Sequence, residues 1–178
     1  AVTRSGAKPG DLIYVTGELG GAAAGLRLLE SLEKSESNET KYLLDRQLMP
    51  EPRVFAGEML GRLKIPTAMI DISDGLSSDL GHLCRESGVG AVIRRENIPI
   101  DKNIQHSGVS NGLELALNGG EDFELLFTIP RNLRKDLKNK LEKLSVTCIG
   151  EITPDAGKIE LLSDGTTTLL EPGGYRHF

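Results

Sequence analysis

The residues able to do chemistry in this 178-residue chain gather in two short acidic stretches. The first is Asp71-Ile72-Ser73-Asp74-Gly75, continuing to Leu76-Ser77-Ser78-Asp79-Leu80. On a strand Asp71 and Ser73 project to the same side and Asp74 opens the turn that follows, so two carboxylates and a hydroxyl can converge on one point. Two like charges near 4 Å repel by about 4 kcal/mol at an effective dielectric near 20, so such a pair needs a shared proton or a bound cation. Magnesium suits it, because that ion binds one or two carboxylates and completes its octahedron with water and phosphate oxygens. A structural role stands beside this one: Ser73 or Asp74 can cap a helix that begins near residue 76. Capping leaves Asp71 unexplained, since a charge in an otherwise apolar strand is costly unless paired.

The second stretch is Asn118-Gly119-Gly120-Glu121-Asp122-Phe123-Glu124. Paired glycines let a backbone pass close to a ligand, and three carboxylates within four residues can hold a metal, accept from an amine or take a proton. A helix C-cap followed by a solvated turn accounts for the same pattern, and spacing does not choose between them. Gly17-Glu18-Leu19-Gly20-Gly21-Ala22-Ala23-Ala24-Gly25 is a glycine-rich strand-to-helix turn that meets neither phosphate-binding fingerprint, GxxxxGK(S/T) or GxGxxG, so close helix packing is expected there. His82, His106 and His177 form no close-spaced pair and are read as surface or satisfied histidines, and Cys84 and Cys148 as small reduced core residues. The run Arg131, Arg134, Lys135, Lys138, Lys140, Lys143 reads as the wet face of a helix.

The elements that must position these residues alternate along the chain. Apolar runs predict strands over 11–16, 67–72, 89–93, 123–129, 146–149 and 159–162. Helical spacing predicts helices over 21–32, through Tyr42 to Leu48, over 54–63, 76–87 and 113–117, and through Leu133, Leu137, Leu141 and Leu144, with Glu33 to Glu39 as the polar exit of the first. Such alternation points to a layered α/β or α+β domain. Hydrophobic residues at 38% with 21 glycines describe an ordinary globular composition rather than a disordered one. The formal charge of −5, with no basic cluster outside that one helix, leaves no footprint for nucleic acid or an anionic membrane. No apolar run reaches the roughly 18 residues of a membrane span and no signal-peptide pattern opens the chain, so the cytoplasm is the expected compartment. A start at Ala1 rather than methionine is expected of a trimmed tag or of a piece of something longer.

Five segments in order carry a resemblance. Thr3-Arg4-Ser5-Gly6-Ala7-Lys8-Pro9-Gly10-Asp11, the Val15-Thr16-Gly17 strand end with its Ala/Gly helix, Ile70-Asp71-Ile72-Ser73-Asp74-Gly75-Leu76, Gly119-Gly120-Glu121-Asp122-Phe123-Glu124-Leu125 and Gly174-Tyr175-Arg176-His177-Phe178 together resemble the C-terminal domain of the thiamine-monophosphate kinase family. The resemblance implies an α+β fold with a mixed sheet, like the C-terminal domain of the aminoimidazole ribonucleotide synthetase superfamily. It implies that residues 1–178 form one domain of a two-domain kinase, and that the N-terminal domain, with further magnesium-binding aspartates and the homodimer interface, is absent from this chain. The implied reaction is direct in-line phosphoryl transfer from ATP to thiamine monophosphate with Mg2+. By resemblance Asp71 and Asp74 are magnesium ligands, Ser73 and Arg4 contact ATP, and Glu121 contacts the thiamine part of the substrate. Some members carry a substrate-stacking aromatic at the position of Pro172, so that contact falls to Tyr175 or is absent. A half-site of this kind is expected to bind weakly and turn over negligibly alone. Another enzyme of the superfamily with a different substrate, or a ligand-binding domain without catalysis, are the alternative readings.

Overall fold

The computed structural model describes residues 2–31, 37–135 and 144–173. Its elements follow in the order β1 (Leu12–Thr16), α1 (Gly21–Glu30), α2 (Asn38–Leu48), α3 (Val54–Leu63), β2 (Ala68–Ile72), α4 (Leu76–Ser87), β3 (Gly90–Arg94), α5 (Gly112–Asn118), β4 (Glu124–Ile129), β5 (Val146–Thr153), β6 (Ile159–Ser163) and β7 (Thr166–Leu169). Short 3-10 turns lie at Arg95–Asn97, Ile104–His106 and Arg131–Leu133.

The strands form one mixed sheet in the order β2-β4-β1-β5-β3-β6-β7, antiparallel throughout except for the parallel pair β3 and β6. This is the α+β architecture expected. Every residue of β1 is buried, because both faces of the sheet are covered at its centre. Side chains alternate across a strand, so Ile13 and Val15 join Ile70, Ile72 and Leu126 in a core with Leu76, Leu80 and Leu83 of α4 and Ala116 of α5. Leu12 and Tyr14 face the other way, onto Phe127, Ile129 and Leu60 of α3. There Tyr14 stacks on its cross-strand partner Phe127 with ring centroids 5.6 Å apart. A smaller cluster of Ala24, Leu43, Ile104 and Leu115 ties α1, α2 and α5 together.

Two differences from the sequence reading have plain causes. Asn38 and Glu39 form the first turn of α2 rather than an exit from α1, because Ser37 caps it: its Oγ accepts from the Thr40 amide at 3.1 Å. β7 shows no apolar alternation, being Thr-Thr-Thr-Leu and exposed along its length, so periodicity carried no sign of it. Of the helix expected between Leu133 and Leu144, both end residues pack on the Phe127 face, while residues 136–143 lie outside the described part. Among the described residues no helix is long and apolar enough to cross a membrane.

Candidate functional site

β2 and β4 are antiparallel neighbours, and Ile72 at the end of β2 pairs with Glu124 at the start of β4. This register is what brings the two acidic stretches together. The pairing continues past the strands: the Phe123 amide donates to the Ile72 carbonyl and the Glu121 amide to the Ser73 carbonyl, each at 2.9 Å. Two glycines let the loops pass so closely. A Cβ on Gly120 would stand 2.7 Å from the Ser73 carbonyl oxygen, and one on Gly75, at φ 114°, would stand 2.9 Å from the Asn118 carbonyl carbon.

Within the second stretch the side chains divide. Glu121 and Phe123 hold left-handed backbone at φ 66° and 50°, a conformation that side-chain-bearing residues adopt at a cost of about 1–3 kcal/mol each. Both line an open cleft of about 620 Å3, shared with Ser73, Asp74, Gly120 and Gln47, and walled on the apolar side by Ala23 and Leu26 of α1. Asp122 and Glu124 turn inward and are buried. Asp122 accepts from the Gly20 and Ala22 amides at the start of α1, at 2.7 and 3.2 Å, and Arg46 of α2 lies 3.5 Å away. Glu124 takes a two-pronged contact from Arg53, Nε to Oε2 at 2.8 Å and Nη2 to Oε1 at 2.7 Å, with Thr16 Oγ1 donating at 2.6 Å and Arg46 at 3.5 Å. Burial pushes the Asp122 carboxyl up to about 6, against the two amides and Arg46, which favour its charged form. The Glu124 hydrogen bond is the main cause raising the Arg53 guanidinium above its ordinary value. The solvated-turn reading therefore fails for Asp122 and Glu124, and of the three carboxylates Glu121 is the one left exposed.

In the first stretch the helix-capping reading fails. The N-cap of α4 is Gly75, with no side-chain cap, and the loop is held instead by Asp79, whose Oδ2 accepts from the Ser73 and Asp74 amides at 3.0 Å each. Asp79 is 2% exposed, and burial raises its pKa, offset by those two amides and reinforced by the charges of Asp74 and Asp71. Asp74, Asp79 and His82 present ligand atoms within 4.8 Å of one another. As a donor set the three fit magnesium poorly: the imidazole nitrogen suits softer metals, and Oδ2 of Asp79 already serves two amides. Asp71 and Asp74 keep the hard oxygens that magnesium takes.

Of the residues singled out in the sequence, the structure brings Ser73, Asp74 and Glu121 into one cleft. Asp71 stands outside that lining and is exposed, so it meets no desolvation cost in its strand, contrary to the expectation. Arg4 is exposed on a segment laid along the β2 edge, where the Met69 amide donates to the Thr3 carbonyl at 2.9 Å, and it does not line the cleft. Tyr175 lies outside the described residues. Pro172 packs near Gly81 of α4, away from the cleft. Sequence reasoning missed Asp79, although it occupies the inward stripe with Leu76, Leu80 and Leu83, a position where a carboxylate calls for partners. It missed Arg46, Gln47 and Arg53 for want of any local signal, since the carboxylates they reach lie more than 70 residues away.

The mixed sheet with this loop pair defines a class. Residues 8–161 match the family described as AIR synthase related protein, C-terminal domain, and the chain belongs to that family. Within it, the thiamine-monophosphate kinase of Escherichia coli (strain K12) is 44% identical over 182 residues, covering 100% of this chain and 55% of that protein. The crystal structure of the thiamine-monophosphate kinase from Stenotrophomonas maltophilia K279a superposes with a TM-score of 0.82 at 35% identity, over 93% of this chain and 53% of that one. AaThiL complexed with AMPPCP and TMP gives a TM-score of 0.81 at 35% identity, over 99% of this chain and 54% of that one. The chain thus spans about half the length of the relatives it matches.

Proposed function

We propose that the full-length protein transfers the γ-phosphoryl group of ATP to thiamine monophosphate, giving thiamine diphosphate and ADP, with Mg2+ as cofactor and this chain supplying part of the site. The observation that carries the reading is the cleft. It gathers Ser73, Asp74 and Glu121, in a chain 44% identical to a thiamine-monophosphate kinase. The AMPPCP and TMP of the structural relative are the matching pair of ligands.

A phosphate monoester has its second pKa near 6, so the acceptor is already largely an oxyanion at neutral pH and needs no strong base. The task is to bring two polyanions into line, and the residues serve that task by binding and orienting. Asp71 and Asp74 would hold magnesium, which supplies charge neutralisation of the phosphates. The Ser73 hydroxyl and the Arg4 guanidinium contact ATP. Glu121 places its carboxylate opposite the thiamine part of the acceptor, which carries a cationic thiazolium and an aminopyrimidine, with Tyr175 as a second contact to that substrate. The N-terminal domain completes the site and pairs two copies into a homodimer, and the protein works in the cytoplasm.

The test is an assay of thiamine monophosphate conversion with ATP by the full-length protein beside residues 1–178 alone. Turnover is expected only in the full-length protein and only with magnesium; its absence there sinks the reading. Because Asp71 is exposed, Asp71→Asn is expected to leave the thermal melt unchanged. It is expected to lower kcat by about 10²-fold or more at low magnesium. Wild-type turnover in that variant removes Asp71 from the metal site.

A further inference from the structure

A turn with two side-chain-bearing residues in left-handed backbone persists only where its surroundings over-determine it. Here α2 supplies much of that constraint. Its Arg46 lies 3.5 Å from both Asp122 and Glu124 and donates to the Glu18 carbonyl at 3.2 Å, gripping the inward side of the turn. The next residue, Gln47, reaches the outward side, where its Nε2 donates to Oε2 of Glu121. Gln47 also lines the cleft, next to Glu121 and Phe123. Consecutive residues of one helix therefore hold the inner and outer carboxylates of the same turn.

The choice of an amide at this position has a consequence. A lysine or arginine there would fix Glu121 equally well but would cancel its charge at short range. A neutral donor occupies one carboxylate oxygen, sets the direction of the group and leaves its full negative charge in the cleft. An aromatic face attracts cations through its quadrupole, so Phe123 and Glu121 favour the same kind of ligand.

We propose that Gln47 is a positioning residue for substrate recognition: by donating to Glu121 it holds that carboxylate beside Phe123, so that the cleft selects a substrate bearing a positively charged aromatic ring. The inference rests on the kinase reading above and deepens it, naming a residue that governs the affinity for the acceptor and leaves ATP untouched. Two variants of the full-length protein test it. Gln47→Ala removes the donor and the side chain, whereas Gln47→Glu keeps length and packing, removes the donor and sets a like charge against Glu121. In both, KM for thiamine monophosphate is expected to rise about tenfold while KM for ATP stays within about twofold. Gln47→Glu is expected to be at least as defective as Gln47→Ala, an order that a packing role would reverse. Wild-type KM in Gln47→Glu, or a parallel rise for both substrates, overturns the inference and leaves the kinase reading standing. No conversion of thiamine monophosphate by the wild type overturns both.

Discussion

Gly120 shows how much of the candidate site depends on a missing side chain. The Ser73 carbonyl oxygen fills the space where its Cβ would be, and the Glu121 amide donates to that same oxygen. Gly120→Ala is expected to push the two loops apart, costing about 1–3 kcal/mol as overpacking does. Activity is expected to fall further than that loss of stability explains, since Ser73 and Glu121 lose their shared anchor; urea denaturation beside steady-state kinetics separates the two effects. At this scale residue type was informative wherever a side chain meets solvent. Asp74 and Glu121 were legible only as members of two acidic stretches that capping or a solvated turn could equally explain, and the family resemblance is what gave each a separate role. Asp122 and Glu124 looked equivalent to Glu121 in sequence, and only their burial beneath α1, Arg46 and Arg53 separates an internal clamp from a ligand-facing group.

The elements are joined at this site by charge as well as by apolar packing. Arg53, the N-cap residue of α3, and Arg46 of α2 both reach the carboxylate of Glu124, which is fully buried in β4. Removing one partner from a buried pair strands the other, whereas replacing both with apolar groups is often neutral. Arg53→Met is therefore expected to destabilise the protein by about 3 kcal/mol, the lower end of such losses because Arg46 stays close. Adding Glu124→Leu is expected to restore most of that loss in denaturant titrations, and a double variant no more stable than the single one would show that the clamp acts otherwise. Element types were legible from periodicity over β1, α3, β2 and α4, whose apolar stripes were read within a residue or so of the observed bounds. What periodicity does not encode is which helix lends its charged face to which strand, since Arg46 and Glu124 are related only through the folded sheet.

For the molecule as a whole, the buried carboxylate of Asp122 couples stability to pH. Its pKa rises from an ordinary 3.8 to about 6 in the fold, so the folded state holds its proton more tightly than the unfolded chain does. The contribution of this group to stability is therefore fullest below pH 3.8, declines as pH climbs toward 6 and is lost above that. Asp122→Asn keeps an acceptor oxygen for only one of the Gly20 and Ala22 amides, which bond different carboxylate oxygens, and abolishes the titration. Between about pH 4 and 6.5 the melting temperature of the wild type is expected to gain less, or fall more, than that of the variant as pH rises, with parallel slopes counting against the assignment. A second whole-molecule property follows from where β1 sits. Leu12, near the start of the chain, pairs with Ile129 on one side and Glu151 on the other. During synthesis the central strand thus leaves the ribosome with both edges bare, and β4, the first of its two partners to appear, follows more than 100 residues behind it. Closing loops of that length before any pairing is gained makes folding slow. The strand that ends up most enclosed is the one longest open to the wrong neighbours.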